Sequence, residues 1–178
     1  MRRQTYSKWG IIISIILVII TVLSVFIFYP NHYVLSLQKQ RTGQLLAYLP
    51  VKENTTFQIQ YTHSVHLSGV SEYYQAKGNS LQPTKLVYED TAIGMPSDAH
   101  GDDVFKMEDG KYIIEKSEHA KPFDELNLSV GQVRADHQII YQNQSYLLKE
   151  FVGAGTDVII DAKRLNRWQL WKGVSMLE

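Results

Sequence analysis

Residues Gly10 to Tyr29 run for twenty positions without a charge: Gly-Ile-Ile-Ile-Ser-Ile-Ile-Leu-Val-Ile-Ile-Thr-Val-Leu-Ser-Val-Phe-Ile-Phe-Tyr. At about 1.5 Å of rise per helical residue, such a run crosses the roughly 30 Å hydrocarbon core of a bilayer. Its many β-branched residues weaken a helix in water, but in lipid the backbone must satisfy its own hydrogen bonds. Arg2, Arg3 and Lys8 precede the run, and no acidic residue does. The positive-inside rule therefore predicts a cytoplasmic N-terminus, with residues 31 onward carried across the membrane.

A removable signal peptide is the competing reading. Such peptides carry an apolar region of about 7–15 residues and small residues at the cleavage site. Here the run ends in Phe26-Ile27-Phe28-Tyr29-Pro30, bulky where a peptidase needs Ala or Gly, and no Cys follows to receive a lipid. Trp9, Tyr29 and Tyr33 stand where interfacial aromatics belong. The expected organisation is a cytoplasmic tip over 1–8, a transmembrane signal anchor over 9–29 and an extracytoplasmic domain over 30–178. Nowhere along the run is there the polar face that a soluble core helix would show.

All 18 acidic residues lie beyond the run, so a basic tip precedes a mildly acidic domain. That balance argues against a nucleic-acid partner and against broad binding to anionic lipid. The chain has no Cys, which excludes thiolate catalysis, disulfides and zinc–cysteine sites.

Beyond Tyr29 the pattern is β. Residues 33–37 and 44–48 flank Arg41-Thr42-Gly43, a hairpin turn. Over 55–62, Phe57, Ile59 and Tyr61 alternate with Gln58, Gln60 and Thr62, the period of a half-buried strand. Further strands are expected at 70–76, 81–88, 112–115, 126–130, from 133, at 138–141, 145–151 and 158–162. Nine or ten short strands without an amphipathic helix predict an all-β domain, a β-sandwich or small barrel. The longest break, 92–109, is a loop of functional or mobile type.

Three constellations carry candidate chemistry. In the first, His63 continues the apolar phase of β-type alternation, with Ser64, His66 and Glu72 nearby. It reads as a structural His–Glu or His–Ser lock, or as a polar pocket in which His63, Ser64 and Glu72 hold a small anionic or zwitterionic ligand. A metal site of His63, His66 and Glu72 requires a bend at Ser64 or Val65, because residues three apart on a strand face opposite sides. A Ser64 nucleophile with His63 as base and Glu72 as orienter is the remaining option. The second constellation, Asp98, His100, Asp102 and Asp103 around Gly101, is either a solvated acidic loop or a cation site without EF-hand spacing. No cofactor is predicted apart from a divalent cation at one of these places. The third, residues 163–172 with Trp168 and Trp171 among Lys and Arg, reads as a final strand or as a surface meeting membrane or protein.

Phe57-x-Ile59-x-Tyr61-x-His63-Ser64-Val65, then Val70-x-Glu72-x-Tyr74, then Gly94-Met95-Pro96, resembles a bacterial domain-of-unknown-function family, number eighteen-fifty. The Thr42-Gly43 turn and Pro50-Val51 fit the same family. Where members often carry a further Gly, this chain has Ala92. The resemblance would extend over nearly all of 31–170. It implies small proteins encoded beside the fused membrane subunits of tripartite ATP-independent periplasmic (TRAP) transporters of the TAXI type. The function so implied is a membrane-anchored accessory or regulatory protein that binds the transporter membrane subunit, its solute receptor or the solute. The alternative is an extracytoplasmic hydrolase or metal-dependent enzyme using His63, Ser64, His66 and Glu72.

Overall fold

The computed structural model describes residues 8–63, 67–90 and 95–177. In chain order the elements are α1 (Lys8–Phe28), β1 (His32–Lys39), β2 (Leu45–Pro50), β3 (Thr55–Thr62), β4 (Gly69–Lys77), β5 (Ser80–Tyr88), β6 (Val104–Glu108), β7 (Lys111–Glu115), β8 (Leu126–Ser129), β9 (Gln138–Tyr141), β10 (Gln144–Leu147), α2 (Leu148–Val152), β11 (Asp157–Leu165), α3 (Arg167–Leu170) and β12 (Val174–Ser175).

None of the residues of α1 is buried, and it is long and apolar enough to cross a membrane. Its hydroxyls do not compete with that role. Ser14 donates to the Gly10 carbonyl and Thr21 to the Leu17 carbonyl, each at 2.9 Å, so neither needs water.

The strands form two sheets. One has the order β12-β2-β1-β11-β8 and the other β10-β9-β3-β4-β5-β7-β6. The pairings are antiparallel except β12 on β2. Alternation decides the inward faces. Leu35, Leu37, Leu49, Val158 and Ile160 of the first sheet share one apolar core with Phe57, Ile59, Ala76 and Ile139 of the second. Each such large side chain contributes about 1.5–3 kcal/mol on burial. The result is the expected sandwich-like arrangement.

A smaller cluster of Val70, Tyr88 and Ile114 lies toward one end of the seven-stranded sheet, with Leu86, Met95, Phe105 and Tyr112 packed on it. Tyr61 touches both clusters. Pro83 fits within β5 because a bulge opens between Tyr73 and Tyr74 of β4, and β5 pairs with β7 only from Lys85 onward.

The strand expectations hold closely for β1 to β5. The Gln142-Asn143 turn between β9 and β10 takes φ of 50° and 62°, the positive values of a two-residue hairpin turn. Four expectations need correction. Among the described residues twelve strands form rather than about nine or ten, because the break at 92–109 contains β6, which pairs with β7, and because β12 adds to β2 beyond the C-terminal run. Residues from Val133 do not form a strand, and Val133 is 82% exposed. The strand expected over 145–151 stops at Leu147 and turns into α2.

The C-terminal run is not a strand over Trp168 and Leu170 but the helical turn α3. Asn166 accepts the Gln169 N–H at 2.8 Å, and Gln169 returns the bond to the Asn166 N–H at 3.0 Å. This reciprocal cap supplies the nucleus that four residues cannot provide by propensity.

Candidate functional site

On β4 the side chains of Val70, Glu72, Tyr74 and Ala76 share the inward face, so the alternation that buries three of them also turns a carboxylate inward. Glu72 lies between the two apolar clusters. Tyr61 donates its hydroxyl to Glu72 Oε1 at 3.0 Å, and the Tyr74 hydroxyl donates to Oε2. Both oxygens of one carboxylate are thus held by phenols, each bond strengthened by the charge of its acceptor.

The phenol rings are themselves fixed. Tyr74 packs on Phe57 and edge-on against Phe123, both with centroids 5.7 Å apart. Burial pushes both hydroxyls well above the ordinary tyrosine range, and the adjacent Glu72 carboxylate pushes in the same direction. They therefore remain donors at any ordinary pH.

The other face of Tyr61 carries His137, stacked at 5.1 Å and 9% exposed. His137 Nδ1 accepts the Gly131 N–H at 3.1 Å, which leaves the proton of the neutral ring on Nε2. Burial pushes the imidazole below its ordinary value, against the pull of Glu72 and Asp136. Beside this group, a groove of about 370 Å³ is lined by Gln60, Tyr61, Thr62, Ser71, Asp136 and Gln138, among others. Its Gln60 and Gln138 belong to an amide relay. Gln138 donates to Gln60 and Gln60 to Gln58, each at 3.1 Å, and Ser145 donates to Gln138.

The sequence-derived candidates distribute as follows. Glu72 stands opposite Ile59 in the β3–β4 register, four residues along β3 from His63. His63 begins the turn between these strands: its N–H donates to the Ser68 carbonyl at 2.8 Å, and its carbonyl accepts from Leu67 at 2.9 Å. Ser64, Val65 and His66 lie outside the described residues, as do Ala92 and Gly94. Met95 packs on the smaller cluster, and the Tyr88 hydroxyl donates to the Pro96 carbonyl.

In the acidic loop, Asp98, His100 and Asp102 are exposed. Asp103 accepts from Lys116 at 2.7 Å and from the Ser117 N–H at 2.9 Å, and these bonds hold its carboxyl below the usual range. Among the described residues no three His, Asp or Glu side chains stand close enough to share a metal ion.

A second polar group lies on the face of β1 and β11 turned away from the core. Asp161, 8% exposed, receives the Ser36 hydroxyl, Gln38 Nε2 at 3.1 Å and the Lys163 ammonium. A groove of about 470 Å³ beside it is lined by Gln38, Gln44, Lys163, Arg164, Gln169 and Lys172, among others. Two of its cations are already paired, Lys163 with Asp161 and Arg164 with Glu53.

The third feature joins α1 to the sandwich. In a continuing helix the Phe26 carbonyl would take the N–H of residue 30, but that residue is Pro30, which has none. Arg167 Nη1 supplies the bond at 3.0 Å, and its guanidinium lies 4.0 Å from the centre of the Phe26 ring. The last turn of α1 holds no basic residue, so Arg167 also brings the positive charge that the helix C-terminus favours. Trp168 packs near Phe28 with ring centres 6.4 Å apart. Only Tyr29, Pro30 and Asn31 separate α1 from β1.

Tyr61 and Tyr74 were visible as part of the alternating motif but not as partners of Glu72. His137 gave no sequence signal, because it is distant along the chain and follows an irregular segment. Arg167 was one cation in a basic run; the signal that could have found its role is Pro30, whose missing N–H orphans the Phe26 carbonyl.

Fold and site together define a two-sheet β protein with one N-terminal apolar helix and a clamped acidic group in its larger sheet. Residues 57–148 match the family described as Domain of unknown function (DUF1850), and the chain belongs to that family. The match is narrower than the 31–170 expected. It includes Tyr61, Glu72, Tyr74 and His137 and leaves out α1, β1, β2, β11 and α3. No curated protein and no solved structure matches the chain.

Proposed function

We propose that this protein is a single-pass, membrane-anchored module that acts by binding, as an accessory or regulatory partner of a TRAP-type (TAXI) solute uptake system. In this reading α1 spans the cytoplasmic membrane with its basic tip inside, and the sandwich is displayed outside. The partner is the transporter membrane subunit, its solute receptor or the solute itself. The observation that carries the reading is the α1–α3 junction. A three-residue connection, braced by Arg167 on the Phe26 carbonyl, supports a sandwich seated at the membrane surface in a set orientation. Confinement beside an integral partner raises effective concentration, so a modest interface suffices.

Glu72 favours binding or a structural lock over hydrolysis, since both its oxygens are engaged by hydroxyls that stay protonated. The family resemblance supplies the choice of neighbour. Crosslinking the full-length chain in native membranes, followed by mass spectrometry of the captured proteins, tests the proposal. It predicts enrichment of transporter subunits above abundant membrane proteins. Recovery of the chain without them would count against the accessory role.

A further inference from the structure

Two tryptophans and two cations collect where α1 ends. Trp168 is 44% exposed and Trp171 78%, although their rings pack together with centres 5.5 Å apart. The Lys172 ammonium lies 5.5 Å from the centre of the Trp168 ring, and Arg167 caps the Phe26 carbonyl. Among the described residues, no ion pair with a carboxylate engages Arg167 or Lys172, in contrast to Lys163 and Arg164. Such a group in water leaves large apolar rings exposed without benefit. At the boundary between hydrocarbon and headgroups, an indole is stabilised by having one apolar side and one wet side, and a cation meets phosphate.

We propose that α3 is an interfacial seat: Trp168, Trp171 and Lys172 insert into the headgroup layer of the same bilayer that α1 crosses. Continuity fixes the occupant. Because α3 packs on the last turn of α1, its exposed side chains lie at the depth where that helix leaves the hydrocarbon. The inference rests on the reading of α1 as a membrane span. Its consequence is orientational. The sandwich is fixed at two points, by the chain itself and by α3, and presents a constant face to a partner in the plane of the membrane.

The test uses the full chain, whose three tryptophans permit single-tryptophan variants. One variant keeps Trp171 (W9F, W168F), one keeps Trp168 (W9F, W171F), and one keeps Trp9 (W168F, W171F). Phe at 168 preserves an aromatic contact with Phe28. Each is reconstituted into vesicles of phosphatidylcholine and phosphatidylglycerol carrying bromine either near the headgroup or near the chain end. The proposal predicts that Trp171 and Trp168 emission is blue-shifted relative to free indole in water. It also predicts that both are quenched more by the headgroup-proximal bromines than by the chain-end ones. Quenching of Trp9 with no quenching of Trp171 or Trp168 would overturn the seat and leave the span standing. Absence of quenching at all three would overturn the span and the seat together.

Discussion

Replacing Glu72 by Gln changes neither volume nor shape, so its effect isolates the clamp. The carboxylate accepts from Tyr61 and Tyr74, one hydroxyl on each oxygen. An amide offers one oxygen and one NH₂, so one tyrosine stops donating and can only accept from the NH₂, while the other keeps an acceptor without its charge. Hydrogen bonds to charged groups contribute about 1.5–3 kcal/mol each against about 0.5–1.5 kcal/mol for neutral ones, and a hydroxyl proton left without an acceptor adds to the loss. The expected loss is therefore roughly 2–4 kcal/mol. For a domain of this size that lowers Tm by about 6–12 °C.

The assay is thermal unfolding of the full chain in detergent, followed by circular dichroism. The same reasoning makes a second demand. The triple variant Glu72→Leu, Tyr61→Phe and Tyr74→Phe removes all three partners at once, so it should recover most of the loss. A Glu72→Gln variant that melts within a degree of the parent would refute the clamp. A triple variant no better than Glu72→Gln would show that the carboxylate is held there by something other than the two phenols.

Asn166→Ala removes the cap that nucleates α3 and should cost about 1 kcal/mol, with red-shifted Trp171 emission marking loss of the turn. Arg167→Gln leaves the Phe26 carbonyl without its cation; hydrogen exchange of residues 29–34 in vesicles should rise severalfold, and unchanged protection would disprove the bracing role. The His137 imidazole is depressed in the folded state from an ordinary 6.5, so below that pH the unfolded chain binds the extra proton more readily. Stability should thus be complete above about pH 6.5 and fall as pH drops toward the folded value, and His137→Phe should flatten that part of the Tm profile.

Much of the fold was legible because burial writes a period of two into the strands. Phe57, Ile59 and Tyr61 announced β3, and the adjacent strands expected at 138–141 and 145–151 are joined by a hairpin turn whose Gln142 and Asn143 take positive φ. The same periodicity misled at the C-terminus. Trp168 and Leu170 alternate with Arg167 and Gln169 as a strand would, but the reciprocal Asn166–Gln169 bonds cap the segment as a helical turn. A four-residue helix is too short to imprint its own period.

The candidate site was legible in part for a related reason. Glu72 was singled out and does turn inward, but its described partners come from residues in phase with it, Tyr61 and Tyr74. Phase within a motif is visible in a sequence, whereas the pairing of strands far apart along the chain is not. His137 reaches Tyr61 only because β9 pairs with β3 and aligns Gln138 with Gln60.

The central claim is that α1 holds this sandwich on the outer surface of the membrane. The absence of Cys gives a clean background for testing it. A single Thr42→Cys change places a thiol in the exposed β1–β2 turn, and spheroplasts are then treated with a membrane-impermeant maleimide. The account predicts labelling without lysis, of a chain that stays in the membrane fraction after alkaline carbonate extraction. Labelling only after lysis, or release of the chain by carbonate, would contradict it.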